Sequence, residues 1–142
     1  MVISYIFDTN TVIYYLQKQF PENARNFING LLSKTIPCLS VITEIELLCW
    51  KNGTEKDMKI LKNFIDETKI IDLEKEIKLE TIKIRKNHSI KLPDAIIAAT
   101  AIVKDYSLIT RNVEDFKNIS NLTLQNPWEQ QGSISSEHQN PD

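Results

Sequence analysis

Val2–Phe7 reads VISYIF, and Asp8-Thr9-Asn10 follows at once. A β-branched and aromatic run of this kind predicts a buried strand. A strand apolar on both faces belongs near the middle of a sheet covered on both sides, as parallel sheets are. Asp8 then stands at the carboxyl end of a central strand, where open α/β sheets bind their ligands.

Outward from there, strand-like and helix-like stretches alternate. Thr11–Gln17 (TVIYYLQ) predicts a helix. Pro21 opens a second, with Ala24, Phe27, Ile28, Leu31 and Leu32 at helical spacing. Thr35–Leu39 (TIPCL) predicts a short strand, and Pro37 favours an edge position for it. Ser40–Lys51 (SVITEIELLCWK) predicts a helix stopped by Asn52-Gly53. Glu55–Ile65 is a further helix, Lys69–Leu73 a strand, and Glu76–Asn87 a charged amphipathic helix. Pro93 starts the helix Asp94–Lys104, whose middle, AIIAATAIV, is apolar nearly all round and so buried on most sides. Tyr106–Thr110 (YSLIT) is a strand, and Leu122–Leu124 is a candidate last one. The alternation predicts an α/β fold: a central parallel sheet of four or five strands, flanked by helices on both faces, with right-handed crossovers.

The length, 142 residues, suits one domain. With only 3 glycines, a turn-rich all-β fold is disfavoured. The expected domain is 1–127, and 128–142 a polar tail (EQQGSISSEHQNPD) with little to bury and no expected order. A net charge of −2 is not the basic footprint of a passive nucleic-acid binder. It leaves a nuclease open, because acids that hold a cation count against the net charge. Cys38 and Cys49 form no CxxC and have no clustered histidines, which disfavours zinc. Each lies in an apolar run and reads as a buried, reduced thiol, fitting a cytoplasmic protein. No basic n-region precedes the first strand, and no run approaches a membrane span, so neither a signal peptide nor membrane insertion is expected.

Four acidic positions fall where such a sheet would gather them. Asp8 follows the first strand, Glu44 and Glu46 lie in the helix after the second, Asp94 opens the apolar helix, and Asp115 follows the strand ending at Thr110. Each has a plain structural use. Asp8 could cap a helix, Asp94 could favour a helix dipole, Asp115 could cap a turn, and Glu46 could be a solvated helix residue. Together they suggest more. Anions packed at one sheet edge raise each other's pKa, and a divalent cation removes that conflict. Hard oxygen ligands select Mg²⁺ or Mn²⁺, and such a cation serves phosphodiester hydrolysis.

The strings FDTN at Asp8, SVITEIEL at Ser40–Leu47, LPDAIIAATAI at Leu92–Ile102 and LITRNVEDF at Leu108–Phe116 resemble the PIN-domain ribonucleases. They are most similar to the VapC-type toxins of toxin–antitoxin pairs. The resemblance covers the chain from the first strand to about Pro127. It implies that Asp8, Glu46, Asp94 and Asp115 are catalytic, with Asp8, Asp94 and Asp115 as ligands of Mg²⁺ or Mn²⁺. Glu46 fits an S-x-x-T-x-x-E-L string through Ser40, Thr43 and Leu47, and Glu44 is the alternative. Thr9, Asn10, Thr110 and Asn112 match positions that orient those carboxylates or the phosphate. The family implies cleavage of single-stranded RNA, a homodimer, and an antitoxin whose peptide tail blocks the cleft. Two features depart from it: Cys49-Trp50 stands where many members carry a glycine, and the tail is long.

Other features read less sharply. Lys83–Lys91 (KIRKNHSIK) is either an RNA contact or a solvated helix face. Arg111 could steady a phosphate or pair with Glu114. His88 reads as exposed and His138 as part of the tail, neither with a role. Tyr14, Tyr15, Leu16 and Phe20 read as core or dimer surface. A non-catalytic PIN-like module that binds RNA or protein is the competing function. A dehalogenase-like phosphohydrolase would need a DxD motif, which Asp8-Thr9-Asn10 lacks.

Overall fold

The computed structural model describes residues 4–129. The start of the first predicted strand, the tail from 130 onward and His138 lie outside them. Five strands form one sheet: β1 (Tyr5–Phe7), β2 (Cys38–Ser40), β3 (Lys69–Ile71), β4 (Ser107–Ile109) and β5 (Thr123–Gln125). Their order is β3-β2-β1-β4-β5, and all four pairings are parallel. The helices are α1 (Thr9–Leu16), α2 (Glu22–Lys34), α3 (Val41–Leu48), α4 (Glu55–Asp66), α5 (Lys75–Asn87), α6 (Leu92–Lys104) and the single turn α7 (Val113–Phe116). β1 is the middle strand, as its apolar run predicts.

Successive strand residues point to opposite faces, and each face has its own core. Ile6, Cys38, Ile71 and Leu108 pack with Ile77 and Ile84 of α5, the alanines of α6 and Phe116 of α7. Phe7, Leu39 and Ile109 pack with Val12 of α1, Ala24 and Ile28 of α2, Leu47 of α3 and Leu61 and Ile65 of α4. The sheet is therefore covered on both faces. Burying each large apolar side chain contributes about 1.5–3 kcal/mol. In α6, Ala95, Ala98, Ala99 and Ala101 are all buried, which brings this helix close against the sheet and α5. Pro93 lies in its first turn, and Asp105 ends it in the left-handed conformation at φ 59.

Four local expectations differ from the structure. β2 is an interior strand, not an edge, because Pro37 lies just before it and needs no ladder N–H; its carbonyl still accepts from Lys69 N at 2.9 Å. α3 ends at Leu48, capped by Cys49, so Asn52-Gly53 does not stop it. Gly53 instead serves packing, since a Cβ there would meet the Met58 sulfur and the Trp50 ring at 3.0 Å. α7 forms where only a turn was expected. The chain also continues in order past 127, as Pro127–Glu129 makes a 3-10 turn. No helix among the described residues is long and apolar enough to cross a membrane.

Candidate active site

The strand ends set the site. Asp8 leaves β1 and becomes the N-cap of α1, with φ −75 and ψ 168. Its Oδ1 accepts from Thr11 N at 2.9 Å and lies 2.5 Å from the Thr11 hydroxyl, which is also 3.0 Å from the carbonyl of Ile109. Its Oδ2 accepts from the Thr110 hydroxyl at 2.5 Å. Asp8 is only 6% exposed, so it caps α1 as a buried carboxyl and not as a solvated one. Burial pushes its carboxyl above the ordinary range; the hydrogen bonds from Thr11 and Thr110 oppose this, and the charge of Glu46 adds to it.

Glu46 projects from α3, beside the end of β1. The Thr9 hydroxyl donates to its Oε1 at 2.6 Å and lies 3.1 Å from the Thr43 hydroxyl. Glu46, not Glu44, is the α3 acid among the main charges acting on Asp8 and Asp94. Asp94 is half-buried in the first turn of α6. Its carboxyl is raised by burial first, then by the charges of Asp8, Glu46 and Asp115, with Lys91 opposing. Acids from four separate stretches of chain are thus near enough for Asp8, Glu46 and Asp115 to act by charge on Asp94.

Asp115, in α7, is exposed, and Asn112 Nδ2 donates to its Oδ2 at 2.6 Å. Asn112 N donates to the Thr110 hydroxyl at 2.9 Å. A polar chain thus runs Asp8–Thr110–Asn112–Asp115, joining two carboxylates through residues at one strand end. Asn10 is exposed on α1 and holds none of the acids.

Arg111 does not pair with Glu114, whose partner is Lys117 at 2.7 Å. Its guanidinium lies over the Trp128 ring at 4.6 Å and the Tyr14 ring at 5.8 Å. Tyr14, Tyr15, Leu16 and Phe20 pack in the second core. The stretch Lys83–Lys91 spans the end of α5 and the loop into α6; Arg85 Nη1 donates to the carbonyl of Ile90 at 2.7 Å, and His88 is half-buried rather than exposed.

The donor set suits a hard divalent cation. Three acids act by charge on Asp94, and among the described residues none of the four is in an ion pair. As the side chains stand, no three His, Cys, Asp or Glu among the described residues are gathered tightly enough to hold a metal. Asp8 and Glu46 are turned onto threonine hydroxyls and Asp115 onto Asn112, yet each carboxylate keeps further lone pairs for a cation.

Thr11 is the residue that sequence reasoning missed. The signal was present: it sits three residues after Asp8, the position whose N–H an N-cap side chain accepts. Beside Glu46, an open groove of about 260 Å³ is lined by Ile13, Leu16, Leu47, Trp50, Ile60 and Leu61. Cys49 on its wall is exposed, not buried as its apolar run suggested, because it lies at the end of α3.

Comparison with known proteins places this architecture. Ribonuclease VapC2 of Rickettsia felis is 30% identical over 136 residues, spanning 88% of this chain and 98% of that protein. The crystal structure of VapBC2 from Rickettsia felis, bound to a DNA fragment from its promoter, contains a chain 27% identical with a TM-score of 0.75, over 87% of this chain and 98% of that one. VapBC-1 from nontypeable Haemophilus influenzae contains one 25% identical with a TM-score of 0.74, over 88% and 98%. The PIN domain family matches residues 5–122, which take in all four acids. This chain belongs to the PIN domain family.

Proposed function

We propose that this protein is a metal-dependent endoribonuclease that cleaves single-stranded RNA and acts as the toxin of a toxin–antitoxin pair. The observation that carries the reading is Asp94, whose carboxyl feels burial and three other acids at once. The likeness to a VapC ribonuclease and to chains in VapBC complexes supports the same reading.

Asp8, Asp94 and Asp115 would hold Mg²⁺ or Mn²⁺. Bound there, the ion would supply a more acidic water and offset charge on the leaving oxygen. The protein's own groups do the rest. Thr11 and Thr110 fix the Asp8 carboxylate, so it needs no reorganisation. Asn112 fixes Asp115. Glu46, exposed and held by Thr9, is available to take the proton of the attacking water as one P–O bond breaks. Thr110 and Asn112 act through the carboxylates they hold.

The groove beside Glu46 suits an antitoxin segment with an apolar face, which would bring that segment to the acids. A cytoplasmic location and pairing of two copies belong to the same reading.

The test is purified protein incubated with end-labelled single-stranded RNA, with and without Mn²⁺ or Mg²⁺. Cleavage should require the ion, stop on chelation and be absent in Asp94→Asn. RNA left whole with every divalent ion tried, or equal cleavage by Asp94→Asn, would point to a non-catalytic module instead.

A further inference from the structure

The loop that carries two of the orienting residues is pinned from outside the site. Arg111 stands between Thr110, which holds Asp8, and Asn112, which holds Asp115. Its guanidinium lies on the face of the Trp128 indole, 4.6 Å from the ring centre. A cation over an indole is the strongest arrangement of its kind.

Trp128 is itself anchored independently of Arg111. Its ring meets Phe20 edge-on at 4.8 Å and Tyr14 edge-on at 5.2 Å. Its backbone N–H donates to Asn126 Oδ1 at 2.9 Å, and its backbone carbonyl accepts from Asn23 Nδ2 of α2 at 3.2 Å. On the other side of the loop, Thr110 N donates to the carbonyl of Gln125 at 3.0 Å. The segment 110–112 is therefore held at two points, one on β5 and one on an indole packed against Tyr14 of α1 and Phe20, with the Trp128 backbone also held by Asn23 of α2. Trp128 lies past residue 122, where the family match ends.

We propose that Trp128 is a positioning residue for the acid site. Through the Arg111 guanidinium it fixes the loop 110–112, and through Thr110 and Asn112 it fixes the Asp8 and Asp115 carboxylates for a divalent cation. Its distance from the chemistry is two residues' worth of contacts, so its effect travels through geometry and not through charge. This rests on the metal-site reading above, and Mn²⁺ affinity tests it apart from RNA cleavage.

The experiment compares wild type, Trp128→Leu, Trp128→Tyr, Arg111→Gln and the double variant Trp128→Leu/Arg111→Gln. Three quantities are read: Mn²⁺ affinity by calorimetry, hydrogen exchange of the Asn112 amide, and kcat against KM for RNA cleavage. Outer-shell partners of metal ligands are typically worth ~10–100-fold in affinity. Trp128→Leu should weaken Mn²⁺ binding about 10-fold, speed Asn112 exchange and lower kcat more than it raises KM. Trp128→Tyr, which keeps an aromatic face, should recover most of the loss. Arg111→Gln should match Trp128→Leu, and the double variant should be no worse than either single one, since both break the same link. If Trp128→Leu does not fold, Arg111→Gln decides, because it leaves the aromatic packing of Trp128 in place. Wild-type Mn²⁺ affinity and Asn112 exchange in Arg111→Gln, or a purely additive double variant, overturns the proposal. So does an Arg111→Gln defect confined to KM, which would make Arg111 a phosphate contact and Trp128 mere packing. If wild type binds Mn²⁺ but cuts no RNA, the nuclease reading fails while the affinity and exchange comparison still decides this one.

Discussion

Asp8 and Asp115 each follow a strand of the same sheet, β1 and β4, yet their surroundings differ. Asp8 is 6% exposed and takes hydrogen bonds at both oxygens from Thr11 and Thr110. Asp115 is exposed and held by Asn112 at one oxygen. The first is set when the core forms, because its partners are strand-end and helix-start residues. The second is set by a short loop and one turn of helix. In the proposed metal site, a fixed ligand beside an adaptable one would be preorganised where charge is fixed and still adjust to the cation's geometry. The chain Asp8–Thr110–Asn112–Asp115 is the physical link between the two.

That contrast can be broken by substitution. Asp8→Asn should keep the cap of α1, since asparagine also caps, yet lower RNA cleavage ~1000-fold or more, a loss of several kcal/mol of charge stabilisation. Single-turnover assays with saturating Mn²⁺ measure it. Asp115→Asn should cost less, about 10–100-fold; a loss equal to that of Asp8→Asn would end the distinction between fixed and adaptable ligands. Next in size, Thr110→Val removes the donor to Asp8 Oδ2 and the acceptor for Asn112 N. Cleavage should fall roughly 10–100-fold, with weaker Mn²⁺ binding seen by calorimetry. Asn112→Ala, which frees only the exposed acid, should cost ten-fold or less.

The smallest effect is on stability. Folding raises the Asp94 carboxyl above its ordinary 3.8, through burial and the other acids. Between that value and the raised one, the folded chain binds more protons than the unfolded chain. Metal-free stability from this group is therefore lost as pH rises through the window and recovered as it falls. Asp94→Asn removes the group. Metal-free wild type should melt below the variant near pH 7, and the gap should narrow toward about pH 4. Thermal melts at several pH values check this; a gap that stays constant with pH would show that the crowding at Asp94 is not relieved by protonation. Added Mg²⁺ should close the gap from the wild-type side, by binding the folded state.

Much of this was legible in the sequence, for physical reasons. VISYIF is apolar on both faces, so it had to be central, and AIIAATAIV is apolar all round, so it had to be buried. Asp8 and Asp94 stood next to those elements, and Asp115 shortly after the strand ending at Thr110, which is why the sequence pointed to them as one set. What was not legible depends on side chains arriving from afar. The spacing of Thr11 from Asp8 foretold its N–H bond to the carboxylate, but not that its hydroxyl would also lie between Asp8 and the distant carbonyl of Ile109. Arg111 has Glu114 close in sequence, yet the indole of Trp128 takes the guanidinium instead. Pro37 predicted an edge because the rule concerns residues inside a ladder, and this one sits a single step outside. Gly53 looked like a helix stop, but its role is to admit Trp50 and Met58.

The two thiols of this protein are unequal in a useful way. Cys38 is sealed in the core, whereas Cys49 is exposed on the groove wall that also carries Glu46. A maleimide dye would therefore attach at one address without any engineered substitution. Its emission would report when a ligand fills the groove, giving a binding readout that needs neither nucleic acid nor turnover.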